Sequence, residues 1–169
     1  MRELAELLAE MRDAGVILDY ALFGALAQVR YTEPVLTLDA DVLVVVPSPE
    51  RLDVLRDIYA FCAERGHPIQ GEAVRVGAWP TQFVPVFSDL TREAVAEAES
   101  VRFEGAPLRV VRAAHLAVIA LSVGRAKDLA RIVALLEAGV VTRAEIEQLA
   151  SRHGLGDRWR SFATRFFHD

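Results

Sequence analysis

The chain has 169 residues, is 53% hydrophobic and 25% charged, and carries a formal net charge of −5. That length supports one domain with a real core, with or without a small helical appendage. The charge argues against a broad nucleic-acid-binding face and leaves room for a local basic site. Cys62 is the single cysteine, so an internal disulfide and a cysteine-rich zinc site are excluded.

Residues 2–14 read as an amphipathic helix with Leu4, Leu7, Leu8 and Met11 on one face, closed by Gly15. The acids in this opening stretch are not those of a signal peptide, and no apolar run reaches the roughly 18 residues of a membrane span. A cytoplasmic protein is the expectation. Val16 to Leu18 reads as a short strand. Leu22-Phe23 leads into a helix over Phe23–Tyr31 that opens at the small pair Gly24-Ala25, and Pro34 stops further helix. Asp41 to Val46 is a buried strand. After Pro47-Ser48-Pro49, Ser48 is placed to cap a helix running to about Arg65, with Leu52, Leu55, Ile58, Tyr59 and Cys62 inward. Residues 72–76 and 81–87 read as strands around a Gly77-Ala78-Trp79-Pro80 turn. Leu90 to Ala98 reads as a short acidic helix, and 101–103 and 108–110 as strands around Glu104-Gly105. Four helices follow, at about 112–123, 126–138, 142–152 and 155–167. The expected organisation is a mixed α/β unit over 1–110 and a helical region over 111–169 packed on its sheet as a small bundle.

Two aspartates, Asp39 and Asp41, stand at the mouth of the buried strand. Residues i and i+2 of a strand share a face, and neighbouring carboxylates repel unless a positive charge lies between them. One reading is a solvated turn before the strand begins. The other is a divalent cation, because Mg²⁺ takes hard oxygen ligands, commonly one or two carboxylates plus substrate phosphates. Gly24-Ala25 upstream fits the second, since a helix start without side-chain bulk lets a phosphate reach backbone N–H groups. Close helix packing explains the same pair equally simply. A further oddity is eighteen arginines beside one lysine, Lys127. Codon bias explains the missing lysines but not the retained one, and lysine is a compact point charge where arginine is a fork.

The run LFGALAQVRYTEPVLTLDADVLVVV resembles the nucleotidyltransferase (polymerase β-like) superfamily, which carries a Gly-Gly or Gly-Ser pair opening a helix and then D-x-D or D-x-E on the following strand. Gly24-Ala25 match the first element, with Ala in the second place, and Asp39 and Asp41 the second. The Thr37-to-Asp41 wording and the later stretch HLAVIALSVGRAKDLARIVALL look like the small bacterial members, including AbiEii-type toxins. Those members carry a basic-then-acidic pair at a helix start, here Arg125, Lys127 and Asp128. The resemblance covers about residues 15–155. It implies an α+β fold, a nucleotidyltransferase-like mixed sheet flanked by helices with a C-terminal helical bundle. It also implies an NTP-binding site in which Asp39 and Asp41 are catalytic and hold Mg²⁺ (or Mn²⁺), while Gly24, Ala25, Arg125 and Lys127 serve the nucleotide. The reaction implied is transfer of a nucleoside monophosphate to a hydroxyl of a small molecule, an RNA end or a protein.

The resemblance also implies a third carboxylate on a later strand, matched here by residues 81–87, which hold no acid. Gln82 occupies the position, and a glutamine brings neither charge nor a general base. Asp89, just past the strand, is a weaker substitute. A protein that keeps the fold but acts as a regulatory or antitoxin-like interaction module would show this pattern too. His115, in an apolar helix, reads as a packed or surface histidine rather than a ligand. Residues 142–155 faintly suggest a helix-turn-helix, against which Glu145 and Glu147 argue, so double-stranded DNA is not an expected partner. Trp159, Phe162, Phe166 and Phe167 read as core or as a homodimer or protein contact.

Overall fold

A computed structural model of the chain describes residues 1–33, 37, 39–103 and 105–167. Fifteen elements follow in the order α1 (Arg2–Asp13), β1 (Asp19–Phe23), α2 (Gly24–Gln28), β2 (Ala40–Val45), α3 (Arg56–Glu64), β3 (Ile69–Gln70), β4 (Ala73–Val76), β5 (Trp79–Pro85), α4 (Asp89–Ala96), β6 (Glu99–Phe103), β7 (Ala106–Val110), α5 (Ala113–Val123), α6 (Ala126–Glu137), α7 (Arg143–Arg152) and α8 (Gly156–Phe166). The seven strands form one sheet in the order β3-β4-β5-β2-β1-β7-β6. It is mixed: β2 pairs β5 and β1 pairs β7 in parallel, whereas β1 and β2 are antiparallel. The expected α+β architecture is the observed one. Among the described residues no helix is long and apolar enough to cross a membrane.

The sheet's centre is built from strands without alternation. Tyr20, Ala21 and Leu22 of β1 and Val42, Leu43 and Val44 of β2 are all buried, as expected of strands covered on both faces. This moves the first strand from the expected 16–18 to Asp19–Phe23; Leu18 is exposed, though its N–H still bonds the Val45 carbonyl at 2.7 Å. α1 buries Leu4, Leu7, Leu8 and Met11 as its spacing requires. α5 is buried nearly all round, from His115 to Leu121, and contacts α2, α4, α6, α7 and α8. An apolar helix without a polar face belongs at the centre of its layer.

The helix expected from Ser48 begins only at Arg56. Residues 50–55 form turns, closed by bonds such as Arg56 N–H to the Asp53 carbonyl at 3.3 Å. Leu52 is fully exposed, so the apolar repeat on which the longer helix rested has no partner there, whereas Ile58, Phe61 and Cys62 reach the core. β3 has no counterpart in the sequence reading, and the β4–β5 turn is only Gly77-Ala78, because Val76 already pairs with Trp79. α2 is shorter than expected, ending at Gln28. The stop assigned to Pro34 and the turn position Glu104 lie outside the described residues.

Candidate functional site

Strand pairing assembles the site. β2 enters between β1 and β5, with Asp41 opposite Phe23 on one side and Gln82 on the other. Gly24 follows Phe23 at the first position of α2 with φ of +69°, a left-handed conformation natural to glycine. A Cβ on Gly24 would fall on the Asp41 carboxylate, 3.1 Å from its Cγ and closer still to Oδ2. Glycine is therefore demanded twice, by backbone and by space.

The second wall comes from the helices. Gly124, with φ of +75°, ends α5 and lets α6 fold back along it. Arg125, Lys127, Asp128 and Arg131 of α6 then line the same cleft of about 1050 Å³ as Gly24, Ala25, Asp39, Asp41 and Gln82. All seven residues singled out in the sequence are thus together. Asp89 is exposed at the start of α4 and does not line the cleft.

The Asp41 carboxylate makes no hydrogen bond or ion pair among the described residues. Burial pushes its pKa up, the Asp39 charge adds to that, and Arg131, Lys127 and Arg125 pull the other way. Thr37 donates from its hydroxyl to the Asp39 carbonyl at 2.9 Å and lies 3.4 Å from Asp39 Oδ1. Asp39 stands in the bend just before β2 and Asp41 within the strand; neither carboxylate is in an ion pair among the described residues, and together they make a donor set that suits one hard divalent ion.

Asp128 has a different role from Asp39 and Asp41. It is 2% exposed and its oxygens are taken: Oδ2 accepts from Arg125 Nε at 2.7 Å and from the Arg125 backbone N–H at 3.3 Å, and Oδ1 from Arg131 Nη1 at 3.3 Å. The sequence reading missed Arg131. Its Nε donates to Oε1 of buried Gln28 at 3.0 Å, and burial lowers its pKa against the pull of Asp128 and Asp41. Its four-residue spacing from Lys127, one helical turn, was the available signal.

No family model matches the sequence, and no curated protein is similar to it by sequence. The structure does resemble solved ones. The solution structure of the antibiotic-resistance factor ANT(2'')-Ia superposes with a TM-score of 0.56 at 14% identity, covering 99% of this chain and 96% of that one. An antigenic nucleotidyltransferase-like protein from Paracoccidioides brasiliensis gives 0.55 at 11% identity, with 99% and 96% covered. The fold is nucleotidyltransferase-like.

The chain of this fold carries a second cluster, outside the cleft. Glu93 and Glu97 at the end of α4 and His115 on α5 present donor atoms within 4.8 Å of one another and could hold a metal ion. Glu93 is already engaged: His115 Nε2 lies 3.2 Å from Oε1, His153 Nε2 lies 2.8 Å from Oε2, and Arg152 also bonds Oε1. His115 is a packed histidine, 3% exposed, whose Nδ1 is the one buried side-chain nitrogen or oxygen without a hydrogen-bond partner among the described residues. Of the aromatic group, Trp159 and Phe162 are core, with rings stacked 5.6 Å apart, while Phe166 is 38% exposed.

Proposed function

We propose that the protein binds a nucleoside triphosphate with Mg²⁺ or Mn²⁺ in this cleft and transfers a nucleoside monophosphate to a hydroxyl, releasing pyrophosphate. The observation that carries the reading is the unpaired Asp39–Asp41 couple facing three cationic side chains across one cleft. Asp39 and Asp41 would hold the ion, which neutralises phosphate charge. The missing side chain at Gly24 keeps Asp41 in place and, with Ala25, leaves the α2 backbone open to phosphate. Lys127 and Arg125 would steady the triphosphate. With Gln82 beside Asp41 and Asp128 taken up by Arg125 and Arg131, no third carboxylate among the described residues of the cleft is free to take the proton of the attacking hydroxyl, which would pass to water, so catalysis would rest on positioning and charge. The acceptor would be a small molecule, an RNA end or a protein side chain, and kinship with the AbiEii-type toxins is part of this reading.

Gln82 favours a second reading, a nucleotide-binding or nucleotide-free interaction module of regulatory or antitoxin-like type. Calorimetric titration with each of the four NTPs, with and without Mg²⁺, tests the first. Mg²⁺-dependent binding of at least one NTP is expected; no heat with any of them would overturn it. Slow pyrophosphate release from the bound nucleotide then separates a transferase from a binding module.

A further inference from the structure

Two-ion phosphoryl-transfer sites hold their ions about 3.5–4 Å apart on shared ligands. Among the described residues this cleft has no donor set for a second ion. The residue paired with Asp41 on β5 is the neutral Gln82, and Asp128 is spent on Arg125 and Arg131. Among the described residues the one group of three acid or histidine donors within 4.8 Å is Glu93, Glu97 and His115, outside the cleft.

The cleft has a fixed cation instead. The Arg131 side chain is 11% exposed and held at two points, by Gln28 Oε1 on Nε and by Asp128 Oδ1 on Nη1. Its Nη2 has no partner among the described residues and is not among the sealed, unpartnered atoms. A guanidinium fixed at two of its nitrogens, in the cleft that Asp39 and Asp41 also line, is suited to meet an anionic oxygen. Lys127 is exposed, and Arg125, bound to Asp128 through Nε and Nη2, is exposed too, whereas the Arg131 guanidinium is largely buried.

We propose that the cleft takes its nucleoside triphosphate with a single divalent ion, at Asp39 and Asp41, and that Arg131, held by Gln28 and Asp128, supplies at the phosphates the charge that a second ion would bring. The proposal rests on the nucleotide reading above and adds to it a stoichiometry and a residue. Gln82 and Arg131 then belong together: a carboxylate at 82 would invite a second cation into space that the guanidinium serves.

Native mass spectrometry counts ions directly. The probe is Mn²⁺ with the α,β-methylene analogue of each nucleotide. Wild type is expected to carry one Mn²⁺ per bound nucleotide, and Gln82→Asp two. Arg131→Gln is expected to weaken nucleotide binding tenfold or more while leaving Mn²⁺ binding without nucleotide no weaker than in wild type, with Arg131→Lys falling between. Two ions per nucleotide on wild type would overturn the proposal and leave the nucleotide reading intact, as would wild-type affinity in a folded Arg131→Gln. Should Arg131→Gln fail to fold, the ion counts of wild type and Gln82→Asp still decide. No nucleotide on wild type would sink the underlying reading and this proposal with it.

Discussion

Gly24 and Gly15 make a matched pair. Both hold φ near +70°, but a Cβ on Gly15 meets nothing within 4 Å, whereas one on Gly24 meets Asp41. Gly15→Ala is expected to cost about 1–2 kcal/mol for left-handed alanine, and Gly24→Ala more, because its Cβ also displaces Asp41, both read by urea unfolding. Only Gly24→Ala should abolish Mg²⁺-dependent nucleotide binding. Asp41 gives a second residue-scale prediction. Its folded pKa lies above the ordinary value, mainly through burial and then Asp39. Its protonated form therefore suits the folded state, and ionising it as pH rises costs stability. Asp41→Asn should make the ligand-free protein more stable at pH 7, the gain fading as pH falls into the carboxylate range; a loss at pH 7 would contradict this. Asp128→Ala should do the opposite, costing roughly 2–3 kcal/mol by stranding Arg131, the cleft's water softening the penalty. The two aspartates at β2 and the glycine before α2 were legible because their pattern is local. Arg131 was not, since its meaning depends on Gln28, 103 positions away.

At the scale of elements, Glu93 ties α4 to α5 through His115 and to α7 through His153 and Arg152. Burial pushes the His115 imidazole below its ordinary 6.5, against the pull of Glu93 and Glu97 and with the help of Arg152. Its neutral form belongs to the folded state, so stability falls as pH drops below about 6.5. Burial raises the Glu93 pKa, but the hydrogen bonds from His115 and His153 and the Arg152 charge outweigh that and leave it lowered. The stability Glu93 lends is present above the ordinary carboxylate range and lost as pH falls through its lower folded value. Urea unfolding between pH 7 and pH 5 should show a smaller loss in His115→Gln than in wild type; equal slopes would contradict the account. No motif announces this clamp, because its members come from three helices and its chemistry appears only once they pack. The four C-terminal helices, by contrast, were readable from spacing and from Gly124, Gly139 and Gly154. The helix begun too early at Ser48 shows the converse: Leu52 fits the repeat, but no core lies opposite it.

For the whole molecule, a chain of net charge −5 gathers Arg125, Lys127 and Arg131 on one wall of its main cleft. The balance argues against a broad basic face while the local field suits a small polyanion. The fold alone does not supply the activity: likeness at 11–14% identity fixes the architecture, and the chemistry is argued from Asp39, Asp41 and the cations opposite. The decisive measurement is a thermal-shift comparison of wild type and Asp39→Asn/Asp41→Asn, each with the four NTPs, with and without Mg²⁺. A nucleotide at a hundred times its dissociation constant adds about 2.7 kcal/mol, a shift of about 5 °C or more for a chain of this size. The account predicts that shift in wild type only with Mg²⁺, and its loss in the double variant even though that variant's own midpoint is no lower. An equal shift in both proteins, or none in wild type, would contradict the assignment of the site.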